Sequence, residues 1–217
     1  MIDWSSELLL IDKPVGITSF AVIRRLRRVY SAGHTGERAP KLGHAGTLDP
    51  LASGLMLIGV GSGTKKLTEL TKLDKEYVAE VRIGESRTTG DLEGDVVEEK
   101  SVAEMFSEES MSATLAELLG THEYAVSAYS AIKKDGVPMY KRARQAAAKG
   151  ETVSDEELPK RAMTVYQAEL LGMDESIIDD SKRLVVTVRF TVGSGTYIRS
   201  LGEALGQKLG YPACLQA

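Results

Sequence analysis

The spacing of the strand-like segments is the feature that most restricts how this chain can fold. Apolar runs and period-two alternation predict strands at Leu8 to Ile11, Leu55 to Val60, Tyr77 to Ile83, Met163 to Leu171 and Leu184 to Val192. Helical patterns lie between some of them, but many strands follow one another without the helix of about 10–15 residues that a βαβ unit requires. The pattern therefore favours an α+β fold with a mixed, mainly antiparallel sheet flanked by helices over a doubly wound parallel sheet.

Length and composition are compatible with one large domain that has a sizeable core. The 217 residues are 42% hydrophobic and 27% charged, which is ordinary for a globular protein and excludes a collagen-like or largely disordered chain. The net charge of -4 excludes a uniformly basic surface for nucleic acid, but it does not exclude a local basic face. We expect a single domain over residues 1–217.

Cysteine usage and apolar run lengths indicate the compartment. The one cysteine, Cys214, has no partner for an intramolecular disulfide, and with three histidines it leaves too few ligands for a structural zinc site. The run Leu8 to Ile11 is too short for a signal-peptide core. The longest uncharged stretch, Pro50 to Thr64, falls short of the roughly 20 residues that span a bilayer. We therefore expect a soluble protein of the reducing cytoplasm.

Positive charge is concentrated in two segments, whereas Asp91 to Glu109 is acidic and is predicted to be a solvated loop and helix start. The first basic segment is predicted to be a helix capped by Thr18 or Ser19. Its predicted packed positions are Phe20, Ile23, Leu26 and Tyr30, and its predicted cationic positions are Arg24, Arg25, Arg27 and Arg28. The second segment, Ala131 to Lys149, includes Lys133, Lys134, Lys141 and Arg142. Both segments are either solvated helix faces or a track for phosphates.

Asp49 is the most conspicuous candidate for chemistry. It follows a predicted irregular loop, Ser31 to Gly46, and is the one charged residue between Ala45 and Thr64. Its spacing fits two interpretations: an aspartate that opens a turn before a proline, or a nucleophile at an apolar sheet edge. A buried carboxylate needs a cation to remain ionised, and Arg199 is the natural candidate. Arg199 also fits an ordinary arginine in the first turn of a helix capped by Thr196.

Two further side chains have a structural and a functional interpretation. Tyr77 opens a predicted strand, where its ring can either join the core or stack on a base. His44 lies between glycines in a loop, where a lone histidine either forms a local hydrogen bond or takes part in binding. The spacing alone does not decide between the structural and the functional interpretation of either residue.

Four motifs, in order, make the resemblance specific. They are LLIDKPVG at 9–16, GHAGTLDPLASG at 43–54, KEY at 75–77 and GTYIRSL at 195–201. Together they resemble the bacterial tRNA pseudouridine synthase B family, and the resemblance runs from about Leu8 to the last residue. It implies the pseudouridine synthase catalytic fold, and the isomerisation of the uridine at position 55 in the T-loop of tRNA without a cofactor or metal.

The resemblance also implies roles for individual residues. Asp49 matches the essential catalytic aspartate, which either attacks the sugar or assists a glycal route, and Arg199 matches the arginine that pairs with it. Tyr77 matches the tyrosine that stacks on the target base. The implied substrate-binding residues are His44, Tyr197, Lys13, Pro14 and Gly43, of which Lys13 and Pro14 belong to a motif that supports the pocket. The family's RNA-clamping thumb matches Tyr124 to about Lys160, with Lys133, Lys134, Lys141 and Arg142. The implied partner is the T-arm stem-loop of tRNA, bound by a monomer that needs no membrane.

The chain departs from the family pattern in three places. Ser31 to Pro40 resembles an insertion before the catalytic loop, and Ala147 to Leu158 is longer than the corresponding part of the thumb. Family members continue beyond the position of Ala217, so the resemblance implies that this catalytic domain is incomplete at its C-terminal end.

Three alternatives to the tRNA enzyme remain. A guide-RNA-dependent pseudouridine synthase shares the aspartate motif but lacks the thumb. A non-catalytic tRNA-binding or RNA-folding module would bind tRNA without turnover. A glycoside hydrolase would normally need a second catalytic carboxylate, and no clear partner for Asp49 is visible in the sequence.

Overall fold

The computed structural model describes residues 2, 4–5, 7–103, 105–130, 132–149, 153, 158–178 and 181–217. Contacts divide the chain into two compact units, Met1–Leu73 and Asp74–Ala217. Each unit is built around a sheet of its own. No helix in the described part of the chain is long and apolar enough to cross a membrane.

The first unit consists of an antiparallel sheet, in the order β1-β3-β2, and the helix α1 that packs against it. Its elements are β1 (Leu8–Lys13), α1 (Ser19–Gly33), β2 (Leu42–His44), β3 (Gly54–Val60), a 3₁₀ turn (Gly61–Lys65) and α2 (Leu67–Leu70). Val22, Ile23 and Leu26 of α1 are buried against Met56 and Ile58 of β3. The core thus fixes one side of α1 and leaves the opposite side at the surface.

The second unit contains an antiparallel sheet in the order β12-β4-β11-β10-β7. Its strands are β4 (Lys75–Ile83), β5 (Glu85–Arg87), β6 (Val96–Glu99), β7 (Gly120–Ala125), β8 (Lys133–Lys134), β9 (Val137–Pro138), β10 (Lys160–Ile178), β11 (Ser181–Val192) and β12 (Ala213–Leu215), and its helices are α3 (Glu108–Ala116), α4 (Met139–Ala147) and α5 (Ile198–Leu209). Strands β5 and β6 form one small hairpin, and β8 and β9 form another.

Two glycines bring α5 close to this sheet. A Cβ at Gly202 would lie 3.1 Å from the side chain of Leu215 and 3.5 Å from that of Val81, and a Cβ at Gly206 would lie 2.4 Å from the Cβ of Ala213. Because a glycine lacks this atom, the helix can rest almost directly on β4 and β12. Helix α5 is thereby held over the face of β4 that Val81 occupies.

The predicted fold class is confirmed, and so are the five predicted strands, all of which extend beyond the predicted bounds. Thr18 is the cap of α1, as its hydroxyl accepts a hydrogen bond from the N–H of Ala21. The interpretation of Ser31 to Gly46 as wholly irregular is wrong, because α1 continues to Gly33 and β2 pairs with β3. Thr196 does not cap α5: the cap position belongs to Tyr197, which makes no side-chain capping bond.

Two predictions about domain organisation stay predictions: the single catalytic domain and the thumb over 124–160. Residues 131, 150–152 and 154–157 of the thumb lie outside the described residues, as does most of the longer segment Ala147 to Leu158. The described remainder of the thumb contains the hairpin of β8 and β9, followed by α4.

Candidate functional site

The loop between β2 and β3 carries Asp49, and it is held on both sides of that residue. On one side, the buried hydroxyl of Ser19 donates to the carbonyl of Leu48 and accepts from the N–H of Leu48, each at 2.9 Å. On the other side, the carbonyl of Pro50 accepts a hydrogen bond from the N–H of Gly16 at 2.7 Å. Asp49 itself is half-buried. The loop therefore presents its carboxylate from a backbone that is fixed at both neighbours.

Lys13 completes this support from within the first unit. Its side chain is fully buried, and its ammonium donates to the carbonyls of Ile17 at 2.8 Å, Pro14 at 3.1 Å and Pro50 at 3.4 Å. A buried charge is tolerated when polar groups surround it, as these carbonyls do here. The burial favours the supporting role implied by the resemblance, and the substrate-binding assignment of Lys13 and Pro14 stays a prediction.

His44 and Gly43 occupy β2, immediately before the Asp49 loop. Nδ1 of His44 lies 2.6 Å from the carbonyl of Gly46, so this nitrogen carries the proton and donates it. A Cβ at Gly43 would lie 2.9 Å from Cδ1 of Leu67, so a larger residue here would displace the end of the Leu67 side chain. The local hydrogen bond of His44 orients its ring, and its predicted contact with RNA remains a prediction.

Tyr77 and Arg199 lie on one face of the second unit. Side chains two apart along a strand share a face, and Ala79, Val81 and Ile83 are all buried, so Tyr77 lies at the open, half-buried end of this apolar row. Arg199 belongs to the first turn of α5, which packs on Val81. The alternation of buried and exposed side chains along β4 confirms the predicted half-buried strand. The stacking role of Tyr77 stays a prediction.

Arg199 is buried, and a constellation that the sequence did not predict orients it. Its Nη1 donates to the carbonyl of Thr89 at 2.7 Å, and its Nη2 donates to the carbonyl of Tyr129 at 3.3 Å. Nη1 also lies 3.7 Å from Oδ2 of Asp91. The guanidinium thus has a fixed orientation, which an exposed helix arginine would not have.

Asp91 is the member of this constellation that sequence reasoning missed. The acidic segment Asp91 to Glu109 was expected to be solvated, but Asp91 is only 2% exposed, so the expectation is wrong at this residue. Its Oδ1 accepts hydrogen bonds from the hydroxyl of Thr89 at 2.5 Å and from the N–H of Glu93 at 3.1 Å. The sequence carries no signal for this burial. The tight turn at Gly90, with a φ of 76° and a position where a Cβ would lie 3.4 Å from that of Arg199, is visible only in the structure.

Tyr197 immediately precedes α5. Its N–H donates to Sδ of Met163 at 3.4 Å, and its side chain is half-buried. Because α5 begins at Ile198, Tyr197 and Arg199 do not share the alternation of a strand. Its predicted contact with the substrate stays a prediction.

The cationic residues of the thumb fall into two groups. Lys133 and Lys141 are exposed, whereas Lys134 and Arg142 are partly buried. The guanidinium of Arg142 donates to the carbonyl of Lys134 at 2.8 Å and to the carboxylate of Asp135 at 3.0 Å. Arg142 therefore joins α4 to the β8–β9 hairpin, while the two exposed lysines present their charge to solvent.

The predicted site residues are distributed between the two units. Lys13, Pro14, Gly43, His44 and Asp49 belong to the first unit. The second unit carries Tyr77, Tyr197, Arg199 and the thumb. The pairing of Asp49 with Arg199 therefore stays a prediction, whereas the pairing of Asp91 with Arg199 lies within one unit.

Comparison with known proteins adds an independent line of evidence. Residues 27–198 match the model of the family described as TruB family pseudouridylate synthase (N terminal domain). The chain is 43% identical over 216 residues to tRNA pseudouridine synthase B of Leifsonia xyli subsp. xyli, covering 98% of this chain and 65% of that protein. It is 39% identical over 208 residues to the protein of the same name from Cupriavidus metallidurans, covering 96% of this chain and 59% of that protein.

Solved structures show the same fold at greater distance. A Cbf5-Nop10-Gar1 complex matches with a TM-score of 0.62 and 25% identity, over 96% of this chain and 46% of the matched chain. An H/ACA RNP bound to a substrate RNA containing 2′-deoxyuridine matches with a TM-score of 0.61 and 22% identity, over 96% and 44%. The chain spans about two thirds or less of the length of the relatives that it resembles most.

Proposed function

This chain belongs to the TruB family of pseudouridylate synthases, and we propose that it isomerises uridine to pseudouridine in the T-loop of tRNA, at position 55. The observation that carries the proposal is the loop of Asp49, which lies in the family's motif and is fixed through Ser19 and Lys13. A rigid loop keeps a reacting carboxylate in one position, as catalysis requires.

The chemistry explains why a single carboxylate suffices. The reaction breaks the bond between N1 of uracil and C1′ of the ribose and forms a bond between C5 and C1′. C5 releases its hydrogen as a proton, and N1 takes up a proton. No atom is gained or lost, so no cofactor is consumed. Asp49 assists the first bond cleavage by attack on the sugar or by a glycal route. The detached base must then rotate in a pocket that excludes water.

Other residues take supporting parts in this proposal. Tyr77, at the open end of the apolar row of β4, stacks on the target base, and Arg199 neutralises the carboxylate of Asp49. The base must leave the T-loop before it can react, and its unstacking costs a few kcal/mol. Contacts of the thumb and of His44 with the T-arm offset that cost. We further propose that the protein acts as a cytoplasmic monomer.

The guide-RNA-dependent alternative is less favoured. The chain is 36–43% identical to several proteins named tRNA pseudouridine synthase B, but only 22–25% identical to the H/ACA RNP proteins of similar fold. The guide-RNA-dependent enzymes also lack the thumb, to which the resemblance assigns Tyr124 to about Lys160, and the described part of this segment contains a hairpin and a helix.

The direct test is the release of tritium from a transcribed tRNA that carries C5-tritiated uridine. We expect release with the parent chain, none with Asp49→Asn, and unchanged release with Asp74→Asn, which alters an exposed aspartate of the second unit. A transcript with cytidine at position 55 should also give no release. The Asp49→Asn variant should bind tRNA within a few fold of the parent.

Two outcomes would contradict the proposal. Release by Asp49→Asn at the parent rate would show that this carboxylate is not essential. Tight tRNA binding by the parent without any release would instead favour a non-catalytic binding module.

A further inference from the structure

Helix α1 presents a cationic face that the proposed reaction does not use. At 3.6 residues per turn, Arg24, Arg25, Arg27 and Arg28 span an arc of about 160°. This arc lies opposite the side that buries Val22 and Leu26, and all four arginines are exposed. The arginine face of α1, as we name these four residues, is therefore held outward by the core behind it.

The charge of this face is not balanced within the described part of the chain. None of the four arginines forms an ion pair with a described carboxylate, although the chain as a whole carries a net charge of -4. Other exposed cations do pair with carboxylates, as Lys66 does with Glu7 and Lys208 does with Glu117. Helix α1 itself contains no acidic residue.

Such an arrangement is unfavourable for the helix alone. Arg24 with Arg28 is a like-charge pair at i,i+4, and Arg24 with Arg27 and Arg25 with Arg28 are pairs at i,i+3, spacings at which like charges repel. Stability would favour carboxylates at some of these positions. Four guanidinium groups that pair with no described carboxylate, over about 6 Å of helix axis, are instead suited to a polyanion that supplies negative charge.

An aromatic ring lies within this face. Phe20 was expected on the packed side, but its side chain is 58% exposed, so that expectation is wrong. The Cζ atom of Arg24 lies 6.0 Å from the centre of its ring. An exposed ring beside a guanidinium is a surface on which a nucleoside can stack, and arginine forks match phosphate oxygens.

We propose that the arginine face of α1 is a second RNA-binding surface, which contacts the phosphate backbone of the tRNA substrate. This inference rests on the proposed function for the identity of the RNA. A membrane is a poorer partner, because an interfacial helix inserts its apolar side, and the apolar side of α1 is already buried in the core. The contacts are to phosphates and are independent of base sequence.

The test compares the salt dependence of tRNA binding for four proteins. They are the parent chain, Arg24→Gln/Arg28→Gln, Arg24→Lys/Arg28→Lys, and the control Lys65→Gln/Lys72→Gln, which removes two exposed charges elsewhere in the same unit. Each phosphate contact contributes roughly 0.7–0.9 to the slope of log K against log salt. The Arg-to-Gln pair should lower the slope by about 1.5 and weaken binding at about 0.1 M salt by roughly tenfold or more.

The other two variants should stay close to the parent. The Arg-to-Lys pair retains the charge and should keep the slope, and the control should change affinity by no more than about twofold. All four should unfold at similar urea concentrations, because exposed side chains contribute little to stability. A slope for the Arg-to-Gln pair equal to that of the parent, or a fall of the same size in the control, would overturn the proposal.

Tritium release separates this proposal from the proposed function. If the parent releases tritium and the salt slope does not depend on Arg24 and Arg28, the proposed RNA-binding surface is refuted and the proposed enzymatic function is supported. If the parent binds tRNA with an α1-dependent slope but releases no tritium, the surface stands and the enzymatic function is refuted. In an active enzyme, the Arg-to-Gln pair should raise KM for tRNA and leave kcat unchanged.

Discussion

The carboxylate of Asp91 lies 3.7 Å from the guanidinium of Arg199, and both side chains are almost fully buried. At this separation a charge pair gains about 4 kcal/mol at an effective dielectric constant near 20, before the cost of desolvation. Thr89 contributes to both partners, because its hydroxyl binds Asp91 and its carbonyl binds Arg199. Asp91 and Thr89 together therefore set the position of Arg199, the arginine to which the resemblance assigns a catalytic role.

We expect Asp91→Asn to lower both stability and activity. The substitution removes the negative charge beside a buried guanidinium, so the free energy of unfolding in urea should fall by about 3 kcal/mol. Tritium release should slow because Arg199 loses one of the groups that hold its orientation, although the carbonyls of Thr89 and Tyr129 remain. The matched control is Asp95→Asn, since Asp95 is exposed and lies in the same loop. Equal stability of the two variants would contradict the proposed role of the pair.

Replacement of Ser19 tests whether the rigidity of the Asp49 loop matters. Ser19→Ala removes both hydrogen bonds to Leu48 and should lower the free energy of unfolding by about 1–3 kcal/mol. Thr18→Ala removes the cap of α1, costs about 1 kcal/mol and leaves the Leu48 bonds intact. We expect kcat for tritium release to fall only for Ser19→Ala. Equal kcat values in the two variants would show that the loop needs no such support.

The strands could be predicted from the sequence because burial of one face makes apolar and polar residues alternate along the strand. Strand β4 alternates buried Ala79 and Val81 with exposed Val78, and this period of two is visible without any partner. The helical period of 3.6 residues defines the buried positions of a helix less sharply. Phe20 fits the spacing of Ile23, but the buried side of α1 is centred closer to Val22 and Leu26.

The site was predicted less completely because its supporting contacts join distant parts of the chain. Asp91 is indistinguishable in sequence from the exposed carboxylates that follow it, and only the packing of α5 shows that it is buried. Ser19 looked like a helix cap, but its hydroxyl binds Leu48 instead. Asp49 and Arg199 were found through motifs, since neither burial nor pairing can be inferred from their local spacing.

The two groups of thumb cations should behave differently in tRNA binding. Lys133→Gln/Lys141→Gln removes two exposed charges and should lower the salt slope by about 1.5. Arg142→Gln instead breaks the bonds to Asp135 and Lys134, so it should mainly loosen the β8–β9 hairpin against α4. Binding titrations over a range of salt concentrations distinguish the two effects. An unchanged slope for the lysine pair would remove these residues from the RNA interface.

Cys214 lies in β12, fully buried and close to several charged groups. Burial, with the carboxylates of Glu85 and Asp91 nearby, raises the pKa of its thiol to about 12, although Arg82 and Arg87 act in the opposite direction. The thiolate is the reactive form of a cysteine. The folded protein should therefore react very slowly with thiol reagents near pH 8, whereas the urea-unfolded chain should react at once.

The same shift predicts a loss of stability in alkali. The thiol of an unfolded chain ionises near pH 9, so above that pH the unfolded state releases a proton that the folded state keeps until about pH 12. Unfolding becomes more favourable as the pH rises through this window, by about 2 kcal/mol between pH 9 and about pH 11. Urea unfolding of the parent and of Cys214→Ala at several pH values isolates this contribution, because other groups titrate equally in both proteins. The stability advantage of the parent should shrink by that amount, and a constant difference across the window would show that the thiol ionises alike in both states.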